Sequence, residues 1–168
     1  MGETIIGAHV EEYKNTAENN PLFGSAKFAH VEGTECVVYG EHSHAEGKRS
    51  YAHGSGSHAE GFGGIAHGDY SHAQGNTTIA SGSYSFASGI STISAGTGSA
   101  TFGRYNIADN SSGSLLIIGN GTSTGDRRNL AAFNSQSIVL DTTALPTSDP
   151  NNVGQLWRDG TDLKISLG

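Results

Sequence analysis

One cysteine, Cys36, stands alone in 168 residues. It allows no internal disulfide, and a small buried apolar role is expected of a lone thiol. Hydrophobic residues make up 35% of the chain and aromatics 8%, too few for a core of large side chains. No run approaches the roughly 20 apolar residues of a membrane helix, so no membrane insertion is expected. The opening MGETIIGAHVEEYK has neither a basic n-region nor an apolar h-region, so we expect no secretory route. Positive charge is short as well: 9 Lys and Arg against 16 Asp and Glu, a net charge of −7. Sequence-independent nucleic-acid binding needs a basic surface, so no nucleic-acid partner is expected. Charged residues are only 15% of the total, which also argues against an acidic disordered chain.

Small residues fill the space these absences leave. There are 25 glycines, without the Gly-X-Y period of collagen. They follow a longer period. Cut every fourteen residues, the chain reads AHVEGTECVVYGEH from Ala29, SHAEGKRSYAHGSG from Ser43 and SHAEGFGGIAHGDY from Ser57. SHAQGNTTIASGSY follows from Ser71, SFASGISTISAGTG from Ser85 and a decaying copy, SATFGRYNIADNSS, from Ser99. Block position 5 is Gly33, Gly47, Gly61, Gly75, Gly89 and Gly103. Position 3 runs Val31, Ala45, Ala59, Ala73, Ala87 and Thr101; position 10 runs Val38, Ala52, Ala66, Ala80 and Ser94. Position 12 is Gly40, Gly54, Gly68, Gly82 and Gly96. Upstream, Ala8-His9-Val10-Glu11 repeats Ala29-His30-Val31-Glu32 at a spacing of 21. We read that as one period plus a seven-residue insertion, a surface loop at about 12–21.

Residues two apart share one face of a strand. Each block therefore encodes two short strands, with positions 3 and 5 of the first and 10 and 12 of the second expected on a thin inner face. Fourteen residues suit one two-strand coil of a β-solenoid, with coils stacked about 4.8 Å apart. Seven such blocks would give a rod of roughly 30–35 Å. Ala and Gly contacts bury little apolar area, so a single chain is expected to be marginal and to oligomerise.

These blocks resemble the left-handed β-roll heads of trimeric autotransporter adhesins, the YadA-like head repeat. The SHAEG form, with Ala at position 10 and Gly at 12, is similar to phage tail-fibre and tail-spike proteins built from that repeat. The likeness covers about residues 8–112. It extends into GRYNIADNSSGSLLIIGNGTSTGDRRNLAAF, which resembles the segment closing the roll, and into ALPTSDPNNVGQLWRDGTDLKISLG, which resembles the terminal piece of many phage virion proteins. The resemblance implies an all-β, left-handed parallel β-roll or solenoid of 14-residue coils, homotrimeric, with a C-terminal β-hairpin region. It implies a non-enzymatic virion protein, a tail fibre or tail-tip component in host attachment, on the tail or capsid surface. Other tail, baseplate or capsid proteins would be its partners, and a host surface glycan its receptor. A capsid decoration or head-fibre protein, or a bacterial adhesin head module, is the alternative. A carbohydrate-binding module would draw on Tyr39, Tyr51, Phe62 and Tyr105.

The expected organisation is a repeat domain over 1–112, a closing β segment over 113–145, and a linker with a hairpin over 146–168. Ser114 to Ile118 reads as a buried strand stopped by Gly119-Asn120-Gly121. Leu130 to Phe133 and Ser137 to Leu140 read as a pair turning at 134–136. Gly154 to Leu167 reads as a hairpin with Asp159-Gly160 as a type I′ turn, which sets Leu156 opposite Leu163. Leu156, Trp157, Leu163 and Ile165 are the candidate interface.

Two sharper readings compete with a purely structural one. His30, His44, His58 and His72 recur at position 2, with Glu32, Glu46 and Glu60 (then Gln74) at position 4. Imidazole with carboxylate suits zinc or nickel, but the spacing closes no four-ligand set, so no metal or other cofactor is assigned. As a polar ladder facing solvent or a partner chain, the stacked carboxylates repel, which favours partly protonated His and sensitivity to pH near about 6. Catalytic sites are singular and concave; Ser, His and Glu that recur at lattice points are neither, and no enzyme is expected. Gly119 to Gly125 lacks the Lys-Ser/Thr ending of a phosphate loop and reads as a turn. Ranks of His and Glu, rather than Thr, argue against ice binding.

Overall fold

The structure, a computed structural model, describes residues 9–10, 26–110 and 113–168. The expected insertion at 12–21 lies outside them. The chain divides into two units, residues 1–138 and 139–168. In the first unit the strands are β1 (His9–Val10), β2 (His30–Val31), β3 (Val37–Val38), β4 (His44–Ala45), β5 (Tyr51–Ala52) and β6 (His58–Phe62). They continue as β7 (Ile65–Ala66), β8 (His72–Asn76), β9 (Ile79–Ala80), β10 (Phe86–Ile90), β11 (Ile93–Ser94) and β12 (Ala100–Arg104). β13 (Ser114–Asn120) and β14 (Asn129–Asn134) follow, and β15 (Ile138–Leu140) spans the division between units.

From β2 to β12 consecutive strands alternate between two sheets, so this is a parallel β-solenoid of 14-residue coils. The first sheet runs β1-β2-β4-β6-β8-β10-β12-β13-β14, and the second β3-β5-β7-β9-β11. Register is uniform. His44 pairs with His58 and His58 with His72; Ala52 pairs with Ala66 and Ala66 with Ala80. His9 pairs with His30 across the 21-residue interval.

The interior is narrow because the residues facing it are small. Ala45, Ala52, Ala59, Ala66, Ala73, Ala80 and Ala87 are fully buried, and Ser94 and Thr101 continue the two columns. Two further inward columns escaped the sequence reading. Position 1 (Ala29, Ser43, Ser57, Ser71, Ser85, Ser99) and position 8 (Cys36, Ser50, Thr78, Thr92) are also buried. Each coil is thus two seven-residue halves, and inward residues stand at the first and third place of each half. Ser43, Ser71 and Ser99 turn their hydroxyls back onto the carbonyls of Gly40, Gly68 and Gly96, which satisfies a polar group where water is excluded.

The position-5 glycines correct the expected face. Gly33, Gly47, Gly61, Gly75 and Gly103 are exposed and Gly89 is half-buried, so none lies on the inner face. Their φ angles, 94° to 122°, break the strand alternation and carry the chain into a corner. A Cβ on Gly61 would stand 2.3 Å from the carbonyl oxygen of Gly75 on the next coil. The position-12 glycines are buried as expected, but the constraint is the same: a Cβ on Gly68 would lie 2.1 Å from the Gly82 carbonyl oxygen. Both columns are glycine because backbone stacks directly on backbone there.

Each half ends in a left-handed residue. Arg49, Thr77, Ser91 and Tyr105 take φ of 43° to 57° at position 7; His42, Tyr70 and Tyr84 take 55° to 59° at position 14. Non-glycine residues rarely adopt this conformation. Here it reverses the local hydrogen-bond sense. Strand amides donate to the following coil, as His44 to Ser57, while corner amides donate to the preceding one, as Tyr70 to Ser55 and Thr77 to Phe62.

The solenoid closes by two devices. β13 adds to the first sheet in parallel, Ala100 opposite Leu116, and buries Ile117; β14 then pairs with it antiparallel. The second sheet ends at β11, where the buried Asn106 side chain stands in for the next peptide. Its Oδ1 accepts from Ile93 N at 2.7 Å and its Nδ2 donates to Ile93 O at 2.9 Å. Asn129 grips the N–H and C=O of Ile107 in the same way. Arg127 Nη1 donates to the carbonyls of Ser91 and Asn106. β13 runs past the expected stop, through Gly119 and Asn120, and residues 121–128 connect it to β14, with Thr122 N donating to Asp126 O.

In the second unit, β16 (Leu156–Asp159) and β17 (Asp162–Ile165) form an antiparallel hairpin. Its register differs from expectation by two. Gly160-Thr161 is the turn, Asp159 pairs with Asp162, and Leu156 lies opposite Ile165 rather than Leu163. Of the two turn residues only Gly160 has a positive φ, 60°, as the first central position of a type II′ turn requires. Leu163 and Ile165 are exposed, Leu156 is half-buried, and Trp157 stands half-buried across from Lys164.

Candidate functional site

The outward side chains of the solenoid form columns, because uniform register places equivalent residues of successive coils above one another. On the first sheet position 2 gives a stack of imidazoles. Ring centroids are 4.6 Å apart from His30 to His44, 4.6 Å from His44 to His58 and 4.5 Å from His58 to His72, with planes within 20° of parallel. That spacing is close to the inter-strand distance itself. Phe86 ends the stack edge-on, at 5.2 Å from His72. A second column on the other sheet runs Tyr39, His53, His67, with centroids 4.5 Å apart at each step.

Beside the first column stand Glu32, Glu46 and Glu60. Glu46 reaches both neighbours: one oxygen is 4.0 Å from His44 Nε2 and the other 3.8 Å from His58 Nε2. Glu60 approaches His72 Nε2 to 3.5 Å, and Glu32 approaches His30 Nε2 to 3.8 Å. These side chains are about a third exposed, yet the Nε2 atoms of His44, His58 and His72 are buried and make no hydrogen bond. Two groups of three donors result, Glu32-His44-Glu46 and His58-Glu60-His72, each with its ligand atoms within 4.8 Å of one another.

At two members of the ladder, His44 and His58, the environment opposes the expected partial protonation. Burial and then the neighbouring imidazoles His58 and His30 push His44 below the ordinary histidine pKa, against the smaller pull of Glu46 and Glu32. Burial, then His72, lowers His58, and burial, then His67, lowers His53. A stack of rings at van der Waals distance resists charging every member, and desolvation adds to that resistance.

No known protein family matches this chain, nor does any curated protein or solved structure. The site has to be read from its own geometry.

The other candidates do not gather into one place. Tyr39, Tyr51, Phe62 and Tyr105 occupy four different block positions. Tyr39 stacks on His53, Lys48 Nζ lies 6.0 Å over the Phe62 ring, and Tyr51 and Tyr105 are half-buried. The sequence reading missed a more exposed aromatic pair, Tyr70 and Tyr84, whose rings stack at 5.3 Å on the position-14 corner. Their signal was the fourteen-residue interval itself. Cys36 is buried in the position-8 column, and burial raises its thiol pKa, so it is an inert packing group.

Proposed function

We propose that the chain is a non-enzymatic structural protein of a phage virion, a homotrimeric tail fibre or tail-tip component that takes part in host attachment. The observation that carries this reading is the coil itself. A 14-residue parallel coil with an interior of Ala, Ser and Gly, repeated in unbroken register, spends its sequence on a stiff support. The SHAEG blocks and the closing segment resemble those of phage fibres with YadA-like heads, and with them come the left-handed roll and the threefold assembly.

A second line of support is energetic. The interior offers mostly methyl groups to bury, and at about 25 cal/mol per Å² these offset little of the backbone ordering. Apolar groups meanwhile remain outside. Tyr51, Ile65, Ile79 and Ile93 form a half-buried column on the outer face of the second sheet, and Leu115, Ile107 and Leu130 are exposed near the closing end. Assembly would bury such columns against neighbouring chains.

Light scattering of the purified chain tests the assembly: three times the 17.3 kDa chain mass is expected, and a monomer refutes it. Antibody labelling of virions in electron micrographs tests the place. Label at the tail supports the fibre; label on the capsid favours a decoration or head-fibre protein; label on the bacterial surface alone favours an adhesin head.

A further inference from the structure

The His and Glu columns of the first sheet lie at distances that a proton does not explain. A histidine N–H to a carboxylate closes to about 2.7–3.2 Å. Here each Nε2 stands 3.5 to 4.0 Å from its carboxylate, and those of His44, His58 and His72 make no hydrogen bond although they are buried. Two donors bound tetrahedrally to one zinc ion at about 2.0–2.2 Å are about 3.4 Å apart. The gap between His72 Nε2 and Glu60 is 3.5 Å.

We propose that the ladder binds divalent zinc at two places, one held by His58, Glu60 and His72 and the other by Glu32, His44 and Glu46. The first is a two-histidine, one-carboxylate set and the second a one-histidine, two-carboxylate set, each with a coordination position left for water. Mixed imidazole and carboxylate donors suit zinc, whereas calcium and magnesium prefer oxygen alone. Each group spreads over no more than 4.8 Å, so closing on an ion takes a shift of about 1 Å, within reach of a glutamate's terminal torsions.

Two features favour the same pair of sites. Glu32, Glu46 and Glu60 stand on successive rungs beside the imidazole column, and a bound dication offsets the repulsion among them. The side chains are about a third exposed, which gives an ion access from solvent. The His53–His67 column provides the internal control. It has the same ring stacking and belongs to neither three-donor group.

The test is equilibrium dialysis of the chelator-stripped full chain against zinc chloride. Two zinc ions per chain are expected. Glu60→Gln, which keeps the shape and removes the charge, should reduce the count to one; the double variant His53→Gln, His67→Gln should keep two. Cobalt(II) titrated into the unaltered chain should give the visible absorption of a four-coordinate site, and this decides the matter if Glu60→Gln fails to fold. Zinc uptake unchanged by Glu60→Gln, equal loss in the control variant, displacement by equimolar magnesium, or no cobalt band would each overturn the assignment.

Discussion

Replacing Gly68 by alanine isolates the backbone-on-backbone constraint in the solenoid. Gly68 has no positive φ, so alanine adds no backbone strain there. It adds one methyl, placed 2.1 Å from the Gly82 carbonyl oxygen, 2.3 Å from the carbonyl carbon and 2.6 Å from Ser83 N. Comfortable contact is about 3.5 Å, and the obstacle is backbone, so the two coils must part by more than about 1 Å. The bonds that join them there run from Ile65 to Thr78, from His67 to Ala80 and from Tyr84 to Asp69, at 2.8 to 2.9 Å. An opening of that size breaks them. At a net 0.5–1.5 kcal/mol for each of the three, the loss is about 1.5–4.5 kcal/mol. Gly98→Ala is the paired control. No heavy atom lies within 4 Å of its added methyl, and only its φ of 69° is unfavourable, which costs about 1–2 kcal/mol. Urea unfolding followed by circular dichroism should rank Gly68→Ala below Gly98→Ala. The m-value should fall for Gly68→Ala as the array splits into two cooperative stretches, and hydrogen exchange should quicken at the amides of Ile65, His67 and Tyr84. A Gly68→Ala chain within about 0.5 kcal/mol of the parent, or more stable than Gly98→Ala, would refute direct backbone stacking as the reason for the glycine.

Asn106→Leu keeps bulk but removes both bonds to Ile93; with a donor and an acceptor left unsatisfied it should cost about 2–4 kcal/mol, read by thermal unfolding with exchange at the Ile93 amide. An unchanged melting temperature would remove Asn106 from its capping role. Protonation should destabilise the metal-free protein, because His44, His53 and His58 have folded pKa values below their unfolded value of about 6.5. Their contribution is fully present above about pH 6.5, is lost as pH falls from there through the lowered values, and changes no further below them. A flat melting profile between about pH 5 and 8 would contradict this.

The repeat was legible because its constraints recur: six glycines at one block position cannot be read from a single coil but can from their interval. The direction in which those glycines act was not legible. A two-residue spacing in a strand places positions 3 and 5 on one face, and that inference fails once position 5 takes a φ near 100° and breaks the alternation of faces. The inward serines were passed over because serine in a solvent-exposed column looks the same as serine whose hydroxyl returns to a glycine carbonyl three residues back. The hairpin slipped for a related reason. Asp-Gly is the strongest short turn signal, but Gly-Thr satisfies a type II′ turn equally well. The two registers differ by two residues and so keep Leu156, Leu163 and Ile165 on one face. In the ladder, the residues could be named from sequence but their charge state could not. Position alone gives His next to Glu and suggests an ion pair; only burial and the stacked neighbours shift His44 and His58 toward the neutral form.

The same coil explains why an outward column can carry chemistry at all. The seven-residue half fixes the first and third residues by burial, the fifth by backbone contact and the seventh by a left-handed corner. The second, fourth and sixth remain, and the second and fourth point out of the first sheet together. Whatever stands there is repeated at the inter-strand distance without further instruction. Histidine then makes a stack that resists protonation, and glutamate makes a line of charges whose repulsion rises with each added rung. Among the described residues, Gln74 and Ser88 end that line after three carboxylates, and Phe86 ends the imidazole stack after His72. A repulsive column is tolerable over a few rungs and grows costly over many, so its length is limited by the same register that creates it.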